Sequence, residues 1–270
     1  MTGGMSSFVA VSRVTDLFKA FGIERPRSRR LFPPWDLPLV LRSMRILPYE
    51  PVGDAVIQDV TRKAVFLLAL ASGKRRSELA ALLADGHRLQ FARNWSSVPL
   101  LPDVLFRGMT QRFAHVSDPW TFPALTPFVG HAGPDRLMCP VRALRWYLDR
   151  TRQPPLRGPR SRLFLPFADR ATRTTTAMFS AWMCRTIWRA CVLEPENTDS
   201  ANARVATHDV RAFAASWSAC NHAPMVEVMR AAYWRNATTF VAFYLRDLCQ
   251  QREDLCSLGP VVAGRQVIRP

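Results

Sequence analysis

The sequence predicts a mainly α-helical domain with a small antiparallel β-sheet, an α+β fold, on three observations. Apolar residues recur at helical spacing along most of the chain, the run Ala64 to Ala71 is apolar on every side as a central buried helix should be, and short β-like pieces punctuated by turn residues sit in the middle. At 270 residues with 48% hydrophobic types, the chain can bury one sizeable core.

Residues 1–34 hold a short amphipathic candidate, Phe8 to Phe21, then the basic run Arg25-Pro26-Arg27-Ser28-Arg29-Arg30 and Pro33-Pro34. They are read as a remnant helix and a basic linker. A globular domain spans residues 35–250. It begins with a helix carrying Leu37, Leu39, Val40, Leu41 and Met44, followed by a longer one from about Ala55 that stops at Ser72-Gly73. A further helix with Leu79, Leu82 and Leu83 gives way to β-like pieces at Arg88 to Phe91, Ser97 to Leu101 and Thr121 to Leu125. Helical spacing returns at Pro140 to Arg150, where proline suits the first helical position, and at Thr175 to Val192, Thr207 to Asn221, Met225 to Ala232 and Thr238 to Cys249. Residues 251–270 read as a polar tail.

A formal charge of +16 and a pI near 10.9 point to a polyanionic partner, because fixed cations gain affinity by releasing counterions condensed on phosphate chains. Only Lys19, Lys63 and Lys74 are lysines; the other cations are guanidinium forks suited to bidentate phosphate contact. The linker arginines Arg25, Arg27, Arg29 and Arg30 are candidates for DNA contact or nuclear import. No apolar run approaches the roughly 20 residues of a membrane span, and no signal peptide is evident, so a soluble, intracellular protein is expected. The cysteines are scattered without a CxxC pair and read as reduced thiols. Neither they nor the histidines show metal-ligand spacing beyond Cys220-Asn221-His222, so no metal or cofactor is expected.

Four segments carry candidate chemistry. In Gly73-Lys-Arg75-Arg-Ser-Glu78-Leu79 a glycine turn feeds Arg75 into the start of a helix, where it serves either as a phosphate clamp or as a surface charge. In Thr207-His208-Asp-Val210-Arg211-Ala-Phe213 the apolar stripe Val210, Phe213, Ala214, Trp217 leaves His208 and Arg211 side by side on another face, a solvated face being the plain alternative. Trp234 carries an indole N–H able to reach a phosphate oxygen, and Tyr244 lies in a helical stripe with Phe240, Phe243 and Leu248, where packing is the natural alternative.

In this order the segments resemble the tyrosine recombinase, or phage-type integrase, family, and most closely the integrases of DIRS-like retroelements, which are mobile elements. The likeness covers about residues 32–250 and rests on Phe66-Leu-Leu-Ala-Leu-Ala-Ser-Gly-Lys-Arg75, Cys139-Pro-Val-Arg-Ala-Leu-Arg-Trp-Tyr-Leu-Asp-Arg150, His208-Asp-Val-Arg-Ala-Phe-Ala-Ala-Ser-Trp217 and Phe243-Tyr-Leu-Arg-Asp247. It implies the architecture of DNA breaking-rejoining enzymes and site-specific DNA recombination through Tyr244, which attacks a scissile phosphodiester to leave a 3′-phosphotyrosyl link and a free 5′-hydroxyl. Arg75 and Arg211 then clamp the phosphate, His208 assists proton transfer, Trp234 donates to the phosphate and Glu78 holds an arginine or the histidine in place. It further implies double-stranded DNA as partner, a homo-oligomer on paired sites and a nuclear location.

Two departures stand out. The family carries a lysine on a β-hairpin as general acid, and the position falls at Met109 in Phe106-Arg107-Gly108-Met109-Thr110-Gln111; methionine has no proton to give, and Arg107 holds its own too tightly. The family also places a helical clamp domain ahead of the catalytic domain, where this sequence has residues 1–34. Both favour impaired activity, and the alternative is a noncatalytic double-stranded DNA-binding module derived from a mobile-element integrase. A third reading, an RNA-binding or scaffold protein, rests on charge alone and predicts that Arg75, Arg211 and Tyr244 do not cluster.

Overall fold

The computed structural model describes residues 35–84, 89–92, 97–100, 120–126, 131, 133–152, 161–168, 173–193, 206–220, 224–231 and 241, all within the unit that runs from Leu31 to Pro270. Helix α1 (Leu37–Ser43) starts where Asp36 accepts a bond from the Leu39 N–H, 3.4 Å, and all of its residues but Arg42 are buried. Helix α2 (Ile57–Ser72) contains the uniformly apolar run, and Val65 to Leu68 and Leu70 are fully buried. It is central because every face of its second half, from Ala64 to Ala71, is apolar: α4 (Pro140–Thr151), α5 (Thr176–Leu193) and α6 (Thr207–Cys220) all pack on it.

Gly73 ends α2 in a left-handed conformation, φ 60°, with its N–H donating to the Ala69 carbonyl at 3.0 Å. A Cβ is disfavoured there by roughly 1–2 kcal/mol, so Gly73→Ala is expected to lose about that much in urea unfolding. The loss should be accompanied by misplacement of the residues that follow the turn.

Helix α3 (Arg76–Ala80) is shorter than the leucine pattern predicted. Leu82 and Leu83 instead leave the helix to pair with the segment at Arg162: the Leu163 N–H donates to the Leu82 carbonyl at 2.8 Å, and Leu83 forms an isolated antiparallel bridge with Arg162. The sheet has two strands among the described residues, β1 (Ser97–Leu100) antiparallel to β2 (Trp120–Pro123), with Val98 opposite Phe122 and Leu100 opposite Trp120. These four side chains are buried, as a one-sided sheet requires, while Leu89 adds only a single bridge to Leu100 rather than a third strand. A fold of mainly helices with a small antiparallel sheet is therefore what the chain forms.

Helix α6 docks by the expected stripe. Val210, Phe213, Ala214 and Trp217 are buried, and Trp35 packs on Phe213 with centroids 4.5 Å apart and ring planes tilted by 45° while meeting Phe66 of α2 edge-on. A helix of this length is marginal alone, whereas each large apolar side chain buried contributes about 1.5–3 kcal/mol, so packing rather than propensity holds it. A short helix, α7 (Met225–Ala231), follows. Cys139, Cys184 and Cys191 form no disulfide; Cys139 sits at the N-cap of α4 with its Sγ accepting from the Leu125 and Arg142 N–H groups.

Candidate active site

The left-handed turn at Gly73 sets the site. It sends Lys74 and Arg75 off the end of α2 and makes Arg75 the N-cap residue of α3. Three residues on, Glu78 reaches back: its Oε2 accepts the Arg75 backbone N–H at 2.5 Å and its Oε1 faces Arg75 Nη1 at 3.4 Å. From the second turn of α6, Arg211 brings Nη1 to 3.8 Å from Glu78 Oε2, an ion-pair distance beyond hydrogen-bond length. One carboxylate thus faces two guanidinium groups from opposite ends of the chain. Glu78 and Arg211 are each 4% exposed, whereas the Arg75 side chain is 48% exposed, so the arrangement opens on the Arg75 side.

Above this pair lies a cavity of about 290 Å³, lined by Lys74, Arg75, Arg76, His208 and Arg211 among others. The volume is at the small end of the roughly 300–1,000 Å³ usual for ligand clefts. Lys74, Arg75, Arg76 and Arg211 around one small opening give it an electrostatic character suited to an anion. Thr176 and Met183 of α5 close another side, and Arg76 is tied to α5 by a 2.5 Å bond from Nη1 to Ser180 Oγ.

His208 and Arg211 share the cavity, as their helical spacing implied, but the solvated-face alternative does not hold for Arg211. It is buried, with Glu78 of α3 at 3.8 Å. Asp209 beside it is buried too, its Oδ2 accepting the Ala206 N–H at 3.2 Å.

The electrostatics divide the titrating groups into two kinds. Lost hydration and the nearby Arg76 guanidinium hold the His208 imidazole below its ordinary pKa, with Arg211 and Arg75 adding to the shift and Asp209 opposing it. The ring is therefore predominantly neutral near pH 7 and able to take up a proton. Lys74 is 7% exposed, and its Nζ lies 4.8 Å from the centroid of the Trp120 ring. Burial pushes its amine down to about 7; Glu78 opposes the shift, and Arg211 and Arg75 reinforce it.

Of the sequence-predicted site residues, Arg75, Glu78, His208 and Arg211 are brought together. Tyr244, Trp234, Arg107, Met109, Arg25, Arg27, Arg29 and Arg30 lie outside the described residues. The sequence reading assigned no role to Lys74 or Arg76, although both stand inside the Gly73 to Leu79 segment, nor to Trp120. Among the described residues no group of three or more His, Cys, Asp or Glu side chains is placed to hold a metal, and no helix is long and apolar enough to cross a membrane.

No protein-family model and no curated protein matches the sequence.

Proposed function

We propose that the chain is the catalytic domain of a tyrosine recombinase of the mobile-element integrase kind, with the architecture of DNA breaking-rejoining enzymes, acting on double-stranded DNA in the nucleus. The observation that carries this reading is the convergence of Arg75, His208 and Arg211 on one cavity over Glu78. A scaffold with charge spread over its surface has no reason to gather these residues.

In the reaction, a scissile phosphodiester occupies the cavity with its nonbridging oxygens toward Arg75 and Arg211. Both guanidinium groups lie beside Glu78 before the phosphate arrives, at 3.4 and 3.8 Å, and the buried Arg211 has little to reorganise as charge grows on the phosphate. The Tyr244 hydroxyl attacks phosphorus and passes its proton to the neutral His208 ring, giving a 3′-phosphotyrosyl bond. Trp234 donates its indole N–H to the same phosphate. The bond energy is kept in the new ester, so rejoining to another 5′-hydroxyl needs no nucleotide cofactor. The net charge of +16 and the arginines at 25, 27, 29 and 30 supply backbone affinity, and a homo-oligomer on paired sites would complete an exchange.

The test is covalent capture. A pool of nicked duplexes, randomised around the scissile phosphate, is incubated with excess protein at low salt and resolved under denaturing conditions. Wild type is expected to form a protein–DNA adduct, and Tyr244→Phe to form none while binding duplex as tightly. Salt-sensitive binding without adduct in either protein would overturn the enzymatic reading in favour of the noncatalytic DNA-binding module, which Met109 at the expected lysine position supports. No binding at all would overturn both.

A further inference from the structure

Cleavage of a phosphodiester leaves an alkoxide unless a proton reaches the departing 5′-oxygen, and Met109 cannot deliver one. We infer that Lys74 delivers it: the ammonium group on the Trp120 face, at the rim of the Arg75–Arg211 cavity, is the general acid of this chain. The inference rests on the recombinase reading and adds to it the residue that replaces the missing donor.

Three observations converge on Lys74. First, it lines the same cavity as Arg75, His208 and Arg211, so a phosphate held there lies within its reach. Second, its position is built rather than incidental: the side chain is 7% exposed and its Nζ rests over the Trp120 ring at 4.8 Å, a contact that joins the end of α2 to β2. Surface lysines take no such cost, because burying an ammonium group loses its hydration. Third, the cavity offers no better donor among the described residues. A guanidinium group holds its proton too tightly to serve as a general acid near neutral pH, and His208 is held toward its neutral form. The Lys74 amine, lowered to about 7, is protonated in a useful fraction of molecules and gives its proton up readily.

The step balances. As Tyr244 bonds to phosphorus, the bond between phosphorus and the 5′-oxygen breaks and its electron pair stays on oxygen. The proton from Lys74 Nζ converts that oxygen to a hydroxyl and leaves a neutral amine. In rejoining, the attacking 5′-hydroxyl returns the proton to the amine as the phosphotyrosyl bond breaks.

The experiment uses the same nicked duplex pool in two forms, with the ordinary bridging 5′-oxygen or with sulfur in its place. A thiol with pKa about 8.5 leaves as thiolate and needs no general acid. Full-length wild type, Lys74→Met and Lys74→Arg are compared in single turnover. Both variants are expected to form adduct about 10²-fold more slowly than wild type on oxygen and within about threefold of it on sulfur. Lys74→Arg keeps the positive charge, so it separates proton donation from electrostatic support. Lys74→Met should melt no lower than wild type, because it relieves a buried ammonium group. Equal slowing on both substrates would make Lys74 a structural or charge-supplying residue and overturn the inference; so would unchanged rates on oxygen. If wild type forms no adduct on either substrate, the recombinase reading itself fails and Lys74 loses its role with it.

Discussion

An Arg211→Gln protein is expected to form covalent DNA adduct about 10²–10³-fold more slowly than wild type while still binding duplex DNA. The size follows from what the guanidinium does. A donor fixed in advance beside developing charge typically contributes that much to the rate, and Arg211 is fixed twice, by burial at 4% exposure and by Glu78 at 3.8 Å. DNA affinity should hardly change, because it is spread over many cations and Arg211 is one of 37 lysines and arginines. Arg75→Gln should slow the reaction less, since its half-exposed side chain meets a screened phosphate. Single-turnover adduct formation, with a filter-binding isotherm for each protein, checks both. If Arg211→Gln cleaved within threefold of wild type, the cavity would be holding something other than the reacting phosphate.

The locally encoded parts of this arrangement were legible in the sequence. The end of α2 at Ser72-Gly73 follows from an apolar run meeting a glycine, and the starts of α4 at Pro140 and α6 at Thr207 follow from residues that favour helix entry. The stripe Val210, Phe213, Ala214, Trp217 correctly marked the buried face of α6. What was not legible depends on residues distant in sequence. Leu83 pairs with Arg162, which cut α3 short of the leucines that suggested a longer helix. Arg211 is buried with Glu78, a residue distant in sequence, at 3.8 Å, which a helical wheel of α6 alone does not show. Lys74 beside two arginines reads as one more surface charge until β2 brings Trp120 over it. A signal was nevertheless present: lysine is rare in this chain, and one of its three copies sits inside the motif that carries Arg75.

The largest stability effect is expected at Glu50, well away from the cavity. Its carboxylate joins three segments: Lys63 Nζ of α2 bonds Oε1 at 2.6 Å, Arg142 of α4 bonds both oxygens at 2.6 and 3.0 Å, and the Val52 N–H bonds Oε2 at 2.9 Å. Lys63 is 1% exposed and also donates to the Met44 carbonyl at 2.8 Å. Burial by itself would raise the Glu50 pKa, but the bonds from Arg142 and Lys63 outweigh it and hold the carboxyl below its usual range. Removing one partner of a buried pair strands the other, at a cost of about 3–5 kcal/mol, so Glu50→Ala should lose that much in urea unfolding at pH 7. Against a typical domain stability of roughly 5–15 kcal/mol, this brings the fold near its limit. Glu50→Leu combined with Lys63→Met should recover part of the loss, since it removes the two buried charges, keeps apolar volume and leaves unpaired only Arg142, which is partly exposed to solvent. The pH dependence follows from Lys63, whose amine burial lowers to about 8 against the pull of Glu50. Without Glu50 that pKa falls further, so near pH 8 the wild-type fold binds more protons at Lys63 than the variant fold does, while the unfolded chains match. Raising the pH through about 8 therefore narrows the gap between wild type and Glu50→Ala. Lowering it toward the Glu50 pKa narrows the gap from the other side, because a folded-state pKa held down contributes stability only while the carboxylate stays ionised. A gap that stayed constant from pH 3 to 10 would mean that Glu50 contributes by packing and not by charge. The network matters to the site because it fixes α2 to α4 near the start of the helix whose other end presents Lys74 and Arg75.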